Sequence, residues 1–337
     1  MKKVFLGSSG LAVSRLAMGT QTFGWGADEQ TAWAMADRFR AAGGTLFDTS
    51  STFNGGASES MLGGWVEARR CRQTVVIATK VFFPSGDADN DVGLSRKHIM
   101  HSVEQSLDRL RTDYIDLYQA HCFDMSTPLE ETLSVFDDLV RAGKVRYVGV
   151  SNFNGSQLTR AAMTCRARGW SPLVSLQAEY SLLVRSTEWE LEPLCREEGL
   201  SLLAWSPLAG GWLTGKYARG AAPAADSRVG KGERWDDMPE QRESEQGWTV
   251  IGRLREIAAR HGKSCPQVAL NWLLRRGDHV IPIFGARTME QLETNLGSEG
   301  WELDDEEVRL LDEASAVPLP YPWRFIERYT RRRGPQR

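Results

Sequence analysis

The chain has 337 residues, 41% of them hydrophobic and 25% charged, with a formal net charge of −3. That length suits one α/β barrel domain spanning 1–337, and the near-neutral balance gives no electrostatic reason to expect nucleic acid, so a small-molecule substrate is expected. Five scattered cysteines without a Cys-x-x-Cys pair argue against a disulfide framework or a zinc site and for a reducing cytoplasm.

The first residues, KKVFLGSSGLAVSRL, predict a hairpin turning on Ser9 and Gly10 and capping the bottom of the fold. Gly7, Ser8, Ser9, Gly10 and Arg15 break the apolar patch too early for a signal peptide, and no segment reaches the roughly 18 to 20 apolar residues of a membrane span, so no membrane partner is expected. Short apolar runs then alternate with longer amphipathic ones. RLAMGT precedes 28–42, LFDTS 58–69, VVIATK 95–111 and IDLYQAH 129–142; VRYVGVSN precedes 154–168, LVSLQAEY 188–199, SLLAWSPL 246–276 and VIPIFGA 288–298. Eight such pairs predict a (β/α)8 TIM barrel with an N-terminal hairpin and C-terminal helices and tail. The rival doubly wound sheet would show a Gly-x-Gly-x-x-Gly turn, and GSSGLAVS does not match it. Residues 217–245 and the tail after Pro318 lie outside the alternation. In that tail the basic run RYTRRRGPQR reads as solvated and YPWRFIE as a segment packing on the barrel rim.

In a barrel the chemistry sits where strands finish. Asp48 ends the second strand, Lys80 the third, His121 the fourth, Ser151 and Asn152 the fifth, Gln177 the sixth, Trp205 and Ser206 the seventh, and Arg287 follows the eighth. Singly each has a bland explanation, a helix cap or a solvated strand end. Together, an acid, an ammonium and an imidazole at one mouth can couple charges and tune one another's pKa. Cys122 follows His121 directly and points to the opposite face, so a Cys-His dyad is not expected. Phe23, Trp25, Phe53, Asn54, Phe82, Phe83 and Phe123 follow the first four strands, and a rim so placed suits an apolar or planar substrate, with 81–94 as one wall.

FDTSSTFNGGASESMLGGW, IATK, DYIDLYQAH, GVSNFN, AWSPLAGGWLTGKY and IFGARTMEQLETN together resemble the aldo-keto reductase superfamily over nearly the whole chain. The resemblance implies that a tyrosine five residues after the aspartate protonates the carbonyl oxygen while NADPH delivers hydride, aided by the lysine and histidine. Asp48, Lys80 and His121 match, but the tyrosine position carries Phe53. It further implies an NADPH site in which Trp205 stacks on the nicotinamide and Ser151, Asn152 and Gln177 bind its carboxamide. Ser206, Leu208, Gly210 and Lys216 would receive the pyrophosphate, and Gly285 opens a second loop in which Arg287 would pair with the adenosine 2′-phosphate, with the cofactor-binding candidates Gln291 and Asn295 on the next helical turns. Residues 217–245 would then close over the dinucleotide.

Losing a positioned general acid costs about 10² to 10⁴ in rate. Three functions follow. The first is hydride transfer with His121 or a Lys80-held water as proton source, or to an iminium or enone that needs less acid. The second is a redox-neutral elimination or epimerisation using bound NADP. The third is an NADPH-binding regulatory subunit with little catalysis.

Overall fold

A computed structural model describes residues 1–220 and 243–330. Strands β1 (Lys3–Phe5) and β2 (Ala12–Ser14) form an antiparallel hairpin, and eight further strands close a parallel barrel. These are β3 (Ala17–Gly19), β4 (Leu46–Asp48), β5 (Val76–Val81), β6 (Ile115–Ala120), β7 (Val145–Ser151), β8 (Leu173–Glu179), β9 (Ser201–Trp205) and β10 (Val280–Gly285), with β10 pairing both β9 and β3. Helices α1 (Glu29–Ala41), α2 (Ala57–Arg69), α3 (Arg96–Leu110), α4 (Leu129–Arg141), α5 (Gly155–Arg168) and α6 (Leu191–Glu198) return the chain between strands. They are followed by α7 (Glu245–His261), α8 (Cys265–Leu274), α9 (Met289–Leu296), α10 (Asp305–Ala314) and α11 (Trp323–Thr330).

Strand alternation divides the apolar residues into two cores. Outward residues such as Phe47, Ile77, Tyr118 and Phe284 pack under the helices. Inward residues Ala17, Leu46, Ala78, Leu117, Leu203 and Ile281 fill the lower barrel, where Val4, Leu6 and Val13 of the hairpin join them as the expected floor. The hairpin turn is fixed by Gly7, whose φ is +57° and whose amide donates to Ser201 Oγ at 2.7 Å. A Cβ there would stand 2.3 Å from the Val174 carbonyl oxygen, so only glycine fits.

The span expected as one helix, 246–276, is two. Gly262 ends α7 in the left-handed conformation, and Gln267 reaches back to accept from the Ser264 amide at 2.9 Å, starting α8 with Pro266 in its first turn. Hydrophobic periodicity runs through the break, which local capping chemistry imposes. Of the proposed lid, 221–242 lie outside the described residues; before them Tyr217 is buried, and Glu245 already belongs to α7. The arginine-rich end of the tail, 331–337, lies outside them too. No helix among the described residues is long and apolar enough to cross a membrane, and all five cysteines are free thiols.

Candidate active site at the barrel mouth

Above the apolar floor the barrel interior turns polar. Lys80 on β5 is fully buried, and its Nζ donates to Asp48 Oδ2 and to the Thr49 carbonyl, each at 2.7 Å. Asp48 ends β4, and its second oxygen accepts from Gln177 Nε2 of β8 at 2.8 Å, a bond that spans the barrel. Burial pulls the Lys80 ammonium below its ordinary value of 10.5, and the adjacent Asp48 carboxylate opposes the shift. The ring centre of Phe53 lies 5.1 Å from Nζ, so an aromatic face covers the ammonium toward the mouth.

His121 follows β6, and its ring is walled by two aromatic edges, Phe83 at 4.7 Å and Phe53 at 5.8 Å between centres. Its Nδ1 lies 3.1 Å from the hydroxyl of Ser50, which lies 3.4 Å from that of Thr52. Burial, and then the charge of Lys80, hold His121 well below the usual imidazole range, so the ring is neutral at physiological pH. The site thus presents a neutral imidazole above a sealed ammonium.

The other half of the mouth carries groups suited to hold a ligand. Ser151, at the end of β7, is buried with no partner for its Oγ among the described residues. Among the described residues six non-glycine residues have left-handed backbones; Arg70 and Arg111 cap helices, while Asn54, Asn152, Ser206 and Ala209 all sit in mouth loops, where such strain accompanies function. Gly210 (φ +63°) and Gly211 (φ +100°) continue that left-handed run, and Lys216 Nζ would be 3.5 Å from a Cβ on Gly211. Such turns aim backbone N–H groups at anions. Across the mouth Arg287 follows Gly285 and lies along the backbone of Gly26, where a Cβ would meet Arg287 Cδ at 2.6 Å. Its guanidinium has no carboxylate partner among the described residues. A buried unpaired hydroxyl, a cationic left-handed loop and a free guanidinium fit the amide, pyrophosphate and phosphate of a nicotinamide dinucleotide.

Most of the other expected residues already have protein partners. Phe23 is wholly buried in the outer core instead of lining the mouth, because the chain after β3 folds back on Thr22, whose carbonyl accepts from Gly26 and Ala27. Asn54 is a clamp, its Nδ2 donating to the carbonyls of Gln21 and Phe23 at 2.7 Å. Asn295 is buried and donates to the Gly285 carbonyl at 3.3 Å. Gln291 braces the amide of Arg287 at 2.9 Å. Gln177 spends its Nε2 on Asp48, and Asn152 bridges the His121 carbonyl (2.8 Å) and the indole of Trp205 (3.1 Å). Phe82 stacks edge-on with Phe83, Phe123 packs on buried Phe153, and Trp25 is half-buried at the rim; Leu208 stands just before the left-handed run.

Sequence reasoning missed Thr49 and Ser50, which touch Lys80 and His121, and the buried support behind them. Glu59 of α2, fully buried, accepts from Thr79 Oγ1 at 2.5 Å and from Arg109 Nε at 2.7 Å. Arg109 also reaches the Ser51 carbonyl at 3.4 Å and crosses Gly56 (φ +89°), where a Cβ would meet its Cδ at 2.8 Å. The loop carrying Phe53 is thereby held from below. A glutamate six residues after Phe53 was its one sequence signal.

Residues 15–316 match the model of the aldo/keto reductase family. Oxidoreductase YrpG of Bacillus subtilis is 38% identical over 337 residues, covering 96% of this chain and all of the relative. Norsolorinic acid reductase stcV of Emericella nidulans is 34% identical, over 94% of this chain and 82% of its own. Versiconal hemiacetal acetate reductase of Aspergillus parasiticus is 32% identical, over 96% and 99% respectively. With the closed barrel and the Asp48, Lys80 and His121 cluster at its mouth, these matches make the chain an oxidoreductase belonging to the aldo/keto reductase family.

Proposed function

We propose that the protein catalyses NADPH-dependent reduction of the carbonyl, imine or conjugated double bond of a small apolar or planar molecule, with His121 in place of a phenol as the proton donor. The observation that carries this reading is the His121 ring, fixed at Nδ1 by Ser50 and flanked by Phe53 and Phe83, with no partner for Nε2 among the described residues. Nε2 is then the ring atom left to meet a substrate. Water on Lys80 is the weaker source, because the ammonium is fully buried under Phe53.

Ser151 would bind the carboxamide, Trp205 would stack on the nicotinamide ring, and Ser206 to Gly211 with Lys216 would bind the pyrophosphate. Arg287, lacking an internal carboxylate, would take the 2′-phosphate, which favours NADPH over NADH. The bound dinucleotide would supply hydride. The protein's own work is to orient the acceptor between Phe53 and Phe83, to place an N–H at its heteroatom and to keep water off Lys80. Four relatives carry reductase names and two are named aryl-alcohol dehydrogenases, a balance that favours the reductive direction.

The test is NADPH oxidation against aldehydes, ketones, imines and enones. Turnover of one class identifies the chemistry. Product formation without change in cofactor redox state would replace this reading by a redox-neutral elimination or epimerisation. Tight NADPH binding with no product from any class would replace it by a nucleotide-binding subunit.

A further inference from the structure

A neutral imidazole that gives up its proton becomes an anion, and this half-buried ring, walled by Phe53 and Phe83, is a poor place for charge of either sign. Hydride arriving at a carbonyl carbon nevertheless leaves an oxygen that needs a proton. The ring escapes the difficulty only if a proton reaches one nitrogen as another leaves the second. The residues for that are present in line: Thr52 Oγ1 lies 3.4 Å from Ser50 Oγ, and Ser50 Oγ 3.1 Å from His121 Nδ1. Ser50 is wholly buried, whereas Thr52 is half-buried and meets solvent. The Thr52 amide also points at Ser50 Oγ, at 3.5 Å, which favours that oxygen as acceptor on the Thr52 side and leaves its own proton for Nδ1.

Resting on the hydride transfer proposed above, we propose that Thr52, Ser50 and His121 form a proton relay that replaces the absent phenol. As the substrate carbon gains hydride from reduced nicotinamide, the substrate oxygen takes the proton of His121 Nε2. Nδ1 takes the Ser50 hydroxyl proton, Ser50 Oγ takes that of Thr52, and Thr52 recovers one from water. One N–H bond breaks and another forms on the same ring, so the imidazole changes tautomer and stays neutral. The sum is one hydride and one solvent proton added to the substrate, with nicotinamide oxidised. Ser50 and Thr52 act through His121 as positioning and relay residues.

The relay requires His121 to rest as the Nε2–H tautomer, which ¹⁵N NMR of the histidine-labelled full chain reads directly, without turnover. His121 is assigned as the signal lost in His121→Gln. Wild type and Ser50→Thr should show an unprotonated Nδ1, and Ser50→Ala a mixture of tautomers. With the substrate class that wild type reduces, Ser50→Ala should lower kcat at least tenfold at unchanged KM and straighten a curved proton inventory; Ser50→Thr should stay close to wild type, and Thr52→Val should fall between. A purely structural Ser50 gives the reverse order, since the smaller alanine fits its buried site better than threonine. An Nδ1–H tautomer in wild type, or an Ala variant as fast as wild type with an unchanged inventory, overturns the relay. Absence of any NADPH oxidation by wild type overturns instead the hydride transfer it rests on, and NADPH quenching of tryptophan fluorescence confirms folding in every variant.

Discussion

Phe53→Tyr adds one oxygen at the centre of the site. The ring it extends has its centre 5.1 Å from Lys80 Nζ and 5.8 Å from the centre of His121, so both groups named in the phenol mechanism flank it. A positioned general acid contributes about 10² to 10⁴ in rate, or roughly 3 to 5 kcal/mol of barrier. Against this, a buried hydroxyl costs about 1 to 3 kcal/mol of stability if unpaired, while a hydrogen bond to a charged group returns about 1.5 to 3. The variant is therefore expected to keep wild-type stability and, for aldehydes that the His121 donor of wild type serves poorly, to gain reduction by about two decades. Because a proton donor acts in the transition state, the gain belongs in kcat, with KM little changed. The assay is NADPH oxidation with a set of aromatic aldehydes, beside NADPH titration by tryptophan fluorescence. A Tyr variant that folds, binds NADPH as wild type does, and reduces aldehydes no faster refutes the reasoning, because Lys80 and Asp48 would then not be poised to serve a phenol.

Arg287→Met removes the guanidinium read as the 2′-phosphate partner; a charge-assisted bond of about 1.5 to 3 kcal/mol predicts NADPH Kd rising roughly 10- to 150-fold with NADH unchanged, by fluorescence titration. Ser151→Ala removes a hydroxyl that has no partner among the described residues, so thermal stability should hold while both dinucleotides bind about 2- to 13-fold more weakly. Lys80→Met leaves the Asp48 carboxylate buried beside Gln177 alone and should cost about 3 to 5 kcal/mol in denaturant unfolding, whereas adding Asp48→Asn should recover most of it. Burial, reinforced by Lys80, places the folded His121 below the imidazole value of 6.5, so the unfolded chain takes the proton first and stability falls as pH drops below 6.5. His121→Gln should flatten that fall in pH-dependent unfolding and change nothing above it.

What was legible in the sequence follows strand period. Eight alternating runs placed Asp48, Lys80, Ser151, Gln177 and Trp205 at strand ends, and closure of the barrel brought them to one mouth. Strand ends set where a side chain begins, and pairing across the barrel sets what it touches. Gln177 and Asp48 are 129 residues apart, and no local signal directs the amide to that carboxylate rather than to a ligand. Phe23 fails for a related reason: four residues past β3, its direction depends on hydrogen bonds to Thr22 made within the turn. Ser50 carries a signal of only one atom, visible once His121 stands beside it.

The buried Lys80 and Asp48 pair has work to do even without a phenol. It joins β4 to β5 through Asp48 and the Thr49 carbonyl, and Gln177 carries the tie across to β8, so three strands of the upper barrel meet in one polar cluster. An ion pair taken out of water is rarely worth more than a well-packed apolar substitute, but breaking it leaves a naked charge inside the barrel. Presence of the pair is thus weak testimony for acid catalysis at Phe53, since the fold itself depends on it. His121 is different: among the described residues its Nε2 bonds to nothing, and its neutral state and its hydroxyl neighbour serve no strand. On the proposal above, the group whose placement the fold does not require is the one that carries the proton.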